Sequence, residues 1–151
     1  MKKLAIKLKA RGLFVADGRL LVTPSFDSVK RKPHFRLPGG QIEFGERSAT
    51  TLAREMREEF GAEVEVLELL DIVQNVFYFE GRQRHEIVFI HRTRFIDTTF
   101  LRRSELPNIE PGSNEISKWL PVAEVLSGHV PLFPLSNYER WLNPADARSA
   151  V

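Results

Sequence analysis

One amphipathic helix with an acidic side constrains the fold of this 151-residue chain more than any other feature of its sequence. The helix is predicted over Ser48–Phe60, with Ser48 as its N-cap and Gly61 where a helix-terminating glycine belongs. Its apolar residues recur at helical spacing and form one stripe, which we expect to pack on a core; they are Ala49, Leu52, Ala53, Met56 and Phe60.

Three glutamates, Glu55, Glu58 and Glu59, lie on the side of this helix next to the apolar stripe. Their i, i+3 and i+4 spacing makes them neighbours, and like charges this close repel each other. A divalent cation would remove the repulsion, and a set of oxygen ligands favours Mg²⁺ or Mn²⁺. Taken alone, the cluster is explained at least as well by a solvated helix surface on which Arg54 and Arg57 pair with the glutamates.

The residues upstream of the helix favour the metal interpretation. Leu37-Pro38-Gly39-Gly40 is a glycine-rich turn, at which backbone groups can approach a metal or a phosphate closely. The segment 40–62 resembles the signature of the Nudix hydrolase family, G-x5-E-x7-R-E-U-x-E-E-x-G-U, where U is a bulky aliphatic residue. Every fixed position matches, and only Ala62 is smaller than usual; the matching residues are Gly40, Glu46, Arg54, Glu55, Met56, Glu58, Glu59 and Gly61.

The resemblance implies an α/β fold: an α/β/α sandwich with a mixed β-sheet, in one domain over residues 1–151. It also implies hydrolysis, dependent on Mg²⁺ or Mn²⁺, of the diphosphate in a nucleoside diphosphate linked to another group. By the same resemblance the metal ligands are the carbonyl of Gly40 and the carboxylates of Glu55, Glu58 and Glu59. Arg54 then orients a glutamate, and Glu46 is a water-mediated ligand in some members of the family and structural in others.

Two residues are candidates for the general base that takes a proton from the attacking water. Glu59 is the first choice, because it can serve both as a ligand and as a proton acceptor. Glu115 is the second, since it lies outside the signature and four residues before Trp119. A surface carboxylate at the start of a strand explains Glu115 equally well.

Three residues are predicted to contact the substrate. Phe35 and Arg36 precede the glycine turn, and Arg36 is suited to bidentate phosphate binding, although a surface ion pair would also explain it. Tyr78 belongs to the aromatic run Phe77–Phe79, in which one or two rings are expected to face the core and another to stack on a base.

Outside the main helix the sequence predicts mostly strands. Asp17-Gly18 lies between two apolar runs and indicates a hairpin, preceded by alternation from Leu4 to Lys9. Further strands are predicted over Val64–Gln74, Val76–Glu80, Glu86–Phe95 and Glu115–Leu120, with polar loops over Pro24–Pro33 and Leu101–Ser113. Two more helices are predicted over Val122–Leu126 and Leu135–Leu142, and the chain after Pro144 is expected to fray.

Composition bears on the choice of partner and location. Twenty-two Lys and Arg face 20 Asp and Glu, so the net charge is only +2 and a nucleic-acid partner is not expected. The chain has no Cys, which excludes disulfides, thiolate metal sites and the cysteine-dependent isomerase branch of the family. No apolar run reaches the length of a signal-peptide core or of a membrane span, so we predict a cytoplasmic protein without a membrane partner.

Two alternatives to the hydrolase remain at this point. One is a catalytically silent module of the same fold that binds a nucleotide or a partner, and the complete set of glutamates argues against it. The other is an enzyme that removes diphosphate from RNA 5′ ends, for which the modest net charge gives little support. The expected partner is a small nucleoside diphosphate derivative, and a homodimer is compatible with the resemblance.

Overall fold

The structure is a computed structural model that describes residues 4–142. Its centre is a nine-stranded sheet in the order β5-β6-β1-β2-β3-β9, with β4 on β1, β8 on β2 and β7 on β8. The strands are β1 (Lys7–Ala16), β2 (Arg19–Asp27), β3 (Lys32–Arg36), β4 (Gly39–Gln41), β5 (Val64–Phe79), β6 (Arg82–Phe95), β7 (Glu105–Pro107), β8 (Ile116–Pro121) and β9 (Leu132–Phe133). The helices are α1 (Ser48–Phe60) and α2 (Val122–Leu126), with 3-10 turns over Thr98–Arg102 and Tyr138–Arg140.

The sheet is mixed and has helices on both faces, as expected. Strand β1 runs parallel to β6 and β3 runs parallel to β9, whereas the other pairs are antiparallel. Side chains of β1 alternate between two cores: Leu13 and Val15 pack with α2, while Ala10 and Phe14 pack with α1. This arrangement confirms the predicted α/β/α sandwich.

The hairpin at Asp17-Gly18 is confirmed. Beyond its turn the two strands separate, and a cleft opens between them. Both turn residues have positive φ, 52° and 71°, as a two-residue hairpin turn requires. Strands β1 and β2 pair only at Val15–Leu20 and Ala16–Arg19. Beyond these residues β1 pairs with β4 and β6, while β2 pairs with β3 and β8, so the sheet divides and a cleft opens between the two halves.

Helix α1 has the predicted bounds. Its C-terminal residue is followed by Gly61 in the left-handed region, φ 65°, and the N–H of Gly61 donates to Arg57 O. The predicted cap at the other end is wrong by one residue: Arg47 occupies the N-cap position. Ser48 is engaged elsewhere, because its Oγ lies 2.8 Å from His91 Nε2 on β6.

The loop predicted over Pro24–Pro33 is wrong. Most of it is a hairpin, in which β2 continues to Asp27 and β3 begins at Lys32. The Asp27 carboxylate accepts hydrogen bonds from the backbone N–H groups of Val29 and Lys30, both at 3.0 Å, and so forms the turn. Strand β9 pairs only with Phe35 and Arg36, so Pro33 lies where its missing N–H breaks no ladder.

Three other predicted elements differ. The two strands predicted on either side of Asn75 form one strand, β5, because Asn75 pairs with Glu86 without a break. The loop predicted over Leu101–Ser113 contains β7. The helix predicted over Leu135–Leu142 is only a 3-10 turn, since Ser136 Oγ donates to Asp71 at 2.6 Å and Tyr138 Oη to Pro134 O at 2.6 Å, holding these residues in an irregular path.

The predicted fraying after Pro144 lies outside the described residues. Within residues 4–142, no helix combines the length and the hydropathy that crossing a bilayer requires.

Candidate active site

The glycine turn and helix α1 meet at Gly40 and Glu55. Gly40 is held on β1 by its pairing with Ala10, and α1 is held on the same strand by Leu52 and Met56, which are fully buried. A Cβ atom at position 40 would lie 2.3 Å from the Glu55 Cδ and 2.4 Å from its Oε1. The signature glycine is therefore required because the glutamate carboxylate occupies the space of a side chain.

The guanidinium of Arg54 organises the acidic residues around this contact. It donates to both carboxylate oxygens of Glu46, at 2.8 and 2.9 Å, and to Gln41 O at 3.1 Å. It also donates to Glu55 Oε1 at 3.0 Å and to Glu58 Oε2 at 3.1 Å. Arg54 thus joins the turn to the helix, and its expected role in orienting a glutamate for catalysis stays a prediction.

These contacts set the charge of the cluster. The hydrogen bond from Arg54 lowers the pKa of Glu46 to about 2, and the bond to Glu46 raises the pKa of Arg54. Glu55 differs, because burial raises its pKa despite the bond from Arg54. The Glu55 side chain is only 14% exposed, whereas that of Glu58 is 45% exposed.

Glu59 lies apart from the Arg54 network. It borders a cavity of about 20 Å³, large enough for about one water molecule, together with Arg11, Arg36 and Glu115. The pKa of Glu59 is raised to about 8, mainly by burial; Glu55 and Glu110 also raise it, whereas Arg11 and Arg36 lower it. In the described part of the chain no cation forms an ion pair with this carboxylate, which is costly to keep charged without one.

Arg36 and Glu115 are brought together as well. Arg36 Nη2 donates to Glu115 Oε2, so the ion pair weighed for Arg36 exists, but it faces the small cavity beside Glu59. Burial lowers the pKa of Arg36 to about 10. The sequence predictions for Glu59, Arg36 and Glu115 therefore fall on one point of the molecule.

Next to this point the divided sheet encloses a cleft of about 800 Å³, which we call the basic cleft. Two carboxylates line it, Asp27 and Glu86, against six Lys and Arg side chains; these are Lys9, Arg11, Lys30, Lys32, Arg36 and Arg84. Its apolar walls include Phe77, Phe79 and Phe133. A cleft with this charge and these rings suits an anionic ligand that carries a flat group.

Of the three predicted substrate contacts, Arg36 and Tyr78 border the basic cleft and Phe35 does not. Phe35 packs against the core, because alternation along β3 turns His34 and Arg36 to the cleft and Phe35 away from it. Tyr78 borders the cleft, but its side chain is 55% exposed and in phase with the exposed Ile72 and Val76. Phe77 and Phe79 occupy the inward positions of β5.

Sequence reasoning missed Arg11 and Arg84. Arg11 lines both cavities, and its Nη1 donates to Gly39 O at 3.0 Å and to Leu37 O at 3.3 Å. A signal for it was available, since Lys7, Lys9 and Arg11 alternate along β1 and so share one face of the strand. Arg84 carried no comparable signal, because its position depends on the pairing of β6 with β5.

The residues present fit a hard divalent cation, although they do not form a finished cage. Within residues 4–142, no three carboxylate or imidazole groups already converge as a metal site. Glu55 and Glu58 each use one oxygen for Arg54, so a second oxygen of each is left for a ligand. Mg²⁺ is usually bound by one or two carboxylates, waters and substrate phosphates, which this partial set of oxygens can provide.

Comparison with known proteins agrees with this geometry. The model of the NUDIX domain family matches residues 7–146. The MutT NUDIX hydrolase from Burkholderia pseudomallei is 22% identical and has a TM-score of 0.56, with 91% of this chain and 95% of that chain covered. The ORF135 protein of E. coli is 22% identical with a TM-score of 0.55, covering 87% of this chain and 83% of that one.

An ADP-ribose pyrophosphatase from Streptococcus suis is 17% identical, with a TM-score of 0.51 and coverage of 84% of this chain and 79% of that chain. At such identities the solved structures establish a common fold. The family match spans nearly the whole chain, and it includes the turn and the helix that hold the glutamates. The chain therefore belongs to the Nudix hydrolase family, whose enzymes act on pyrophosphate bonds.

Proposed function

We propose that this chain hydrolyses the diphosphate of a nucleoside diphosphate linked to another group, with Mg²⁺ or Mn²⁺ held by Glu55, Glu58, Glu59 and the carbonyl of Gly40. The observation that carries the proposal is the position of Glu59. Its carboxylate lies at the junction of the acidic helix and the basic cleft, beside Arg11 and Arg36. The solved pyrophosphatase with the same fold supports this reaction class.

Each residue of the junction has a defined part in this reaction. When bound, the dication neutralises charge on the diphosphate and acidifies a water molecule. Arg11 and Arg36 hold the non-bridging phosphate oxygens, and burial makes their charges more effective than they would be in water. Arg54 keeps Glu55 and Glu58 in place through its hydrogen bonds at 3.0 and 3.1 Å.

The chemical step is an in-line displacement at phosphorus. Glu59 takes the proton of the attacking water at its carboxylate, and a new P–O bond forms as the bridging P–O bond breaks. The bridging oxygen leaves with the second phosphate, so the products are a nucleoside monophosphate and the other group as a phosphate ester. Glu115 is the alternative base, and its bond to Arg36 must open before it can act.

Turnover of a panel of nucleoside diphosphate derivatives with Mg²⁺ and with Mn²⁺ tests the proposal. We expect Glu59→Gln to stay folded and to lose about a hundredfold or more in kcat, the scale of a lost acid–base group. Glu63→Gln is the matched control, since Glu63 is four residues further along the chain and its side chain is 61% exposed and pairs with Arg57. Unchanged turnover of Glu59→Gln contradicts its role, and a larger loss in Glu115→Gln assigns the base to that residue.

The same panel separates the hydrolase from a silent binding module. A module would bind a nucleotide without releasing phosphate products at any metal concentration. The cytoplasmic location, the homodimer and the absence of a nucleic-acid partner stay predictions.

A further inference from the structure

The basic cleft extends well beyond the point at which the diphosphate is expected. Arg11 and Arg36 form its end beside Glu59, and we call Lys30, Lys32 and Arg84 its distal basic end. A single diphosphate next to Glu59 leaves the distal cations without an anionic ligand.

The strand register separates the two ends by more than a diphosphate can span. Arg11 is the partner of Ile90 across the parallel pair of β1 and β6, and Arg84 precedes Ile90 by six residues on β6. At about 3.3 Å per residue, the Cα atoms of Arg84 and Ile90 are about 20 Å apart along β6, and Arg11 lies beside Ile90. The long side chains reach into the cleft from both ends, so the space between them accommodates a nucleoside.

Of the three residues of the distal basic end, Arg84 gives the clearest indication of an anionic ligand. Its Nε is buried and has no hydrogen-bond partner among residues 4–142, and in that range it forms no ion pair. Its guanidinium lies over the Phe79 ring, with Cζ 5.5 Å from the ring centroid. A buried donor without an acceptor costs free energy, which a bound anion would recover.

Within residues 4–142, neither carboxylate of the cleft forms an ion pair with Arg84. Asp27 accepts backbone hydrogen bonds from Val29 and Lys30, and these bonds lower its pKa and commit it to the turn. Glu86 is only two residues from Arg84 on β6, but its carboxylate lies 4.0 Å from Lys9 Nζ on β1. The distal basic end therefore combines three positive side chains, of which Arg84 lies over an aromatic ring and has a buried donor without an acceptor.

We propose that the distal basic end binds a second phosphate of the substrate, remote from the diphosphate that is cleaved. The preferred substrate class is then a nucleoside diphosphate derivative that also carries a phosphate monoester on its ribose. Arg84 holds that phosphate through charge-assisted hydrogen bonds, and Lys30 and Lys32 add to the attraction. This inference rests on the proposed function, whose substrate class it narrows.

Matched pairs of substrates that differ by one phosphate test the inference. The pairs are ADP-ribose 2′-phosphate with ADP-ribose, and coenzyme A with its 3′-dephospho form. We expect the phosphorylated member of at least one pair to have a kcat/KM about ten- to a hundredfold higher, the scale of a charged hydrogen bond. Arg84→Gln should bring this ratio close to one.

Arg94→Gln is the control variant, because it removes the same charge from the same strand. Arg94 lies ten residues from Arg84, is exposed, and pairs with Glu65 at 2.6 Å outside the cleft. The ratio should be unchanged in this variant. An equal fall in Arg94→Gln would show that only the general positive field acts, and would overturn the assignment to Arg84.

Equilibrium binding of the same pairs to the Glu59→Gln variant separates the two proposals. If the unchanged protein hydrolyses both members of each pair equally well and Glu59→Gln binds them equally tightly, the distal phosphate subsite is contradicted and the proposed function stands. If the unchanged protein hydrolyses neither member, but the phosphorylated one binds at least about tenfold more tightly, and Arg84→Gln abolishes this difference in affinity, the subsite stands and the proposed function fails.

Discussion

Replacement of Gly40 by alanine should inactivate the enzyme while leaving it folded. The new Cβ would lie 2.3 Å from Glu55 Cδ, and 2.4 and 2.6 Å from its two carboxylate oxygens. Ordinary carbon contacts are about 3.5 Å or longer, so the carboxylate must move by about 1 Å. Only the end of a side chain has to move, and we expect a loss of about 1–3 kcal/mol in the free energy of unfolding.

The effect on catalysis should be larger than the effect on stability. A displacement of about 1 Å at a positioned group lowers turnover about a hundredfold. The assay is kcat/KM with saturating Mg²⁺ for the nucleoside diphosphate derivative that the substrate panel shows to be hydrolysed best, together with the midpoint of thermal unfolding. Gly39→Ala is an instructive comparison, because its Cβ would lie 2.0 Å from the backbone Ala10 O at φ 148°, and this variant should unfold instead.

A double-mutant cycle isolates the contact. In a Glu55→Ala background the Gly40→Ala change should cost little further activity, since the clashing carboxylate is gone. If Gly40→Ala alone retains full kcat/KM, or if the two losses simply multiply, then the close approach of Gly40 and Glu55 is not what requires glycine at this position.

Three further predictions concern the Arg54 network and the metal. Arg54→Lys cannot reproduce the five hydrogen bonds of the guanidinium. We expect a loss of about ten- to hundredfold in Mn²⁺ affinity, measured by titration, or in kcat/KM, measured by kinetics. An unchanged Mn²⁺ affinity and kcat/KM would rule out an orienting role. Chelation with EDTA should abolish activity but leave circular dichroism unchanged, because the hydrogen bonds of Arg54 hold Glu46, Glu55 and Glu58 in place without metal. Loss of the far-ultraviolet signal would speak against this. Because Arg54 lowers the pKa of Glu46 from 4.5 to about 2, its stabilising effect is complete above pH 4.5 and is lost as the pH falls toward 2. Urea unfolding of Glu46→Gln should therefore depend less on pH in that window than unfolding of the unchanged protein.

The catalytic helix was predictable because its information is local. Helical spacing, a terminal glycine and the acid positions all lie within Ser48–Gly61, and the structure reproduces the bounds of α1. The N-cap was misassigned for a non-local reason, since the Ser48 hydroxyl is bound by His91, 43 residues away in the sequence.

The orientation of substrate-contacting side chains was not predictable to the same degree. Phe35 was assigned from its nearness to the signature, but strand phase decides which side chains enter the cleft and turns Phe35 to the core. That phase is fixed by pairing with distant strands, as when β5 and β6 place Phe77 opposite Arg84. The hairpin of β2 and β3 escaped prediction because its prolines usually indicate loops.

The most direct test of the central claim is a crystal structure with Mn²⁺ and a non-hydrolysable methylene-diphosphate analogue of the best substrate from the panel. The account predicts an anomalous peak about 2.1 Å from a carboxylate oxygen of Glu59, with Glu55, Glu58, the carbonyl of Gly40 and a phosphate oxygen as further ligands. An analogue bound in the cleft with no ion at Glu59, and with Glu55 and Glu58 still held only by Arg54, would contradict it.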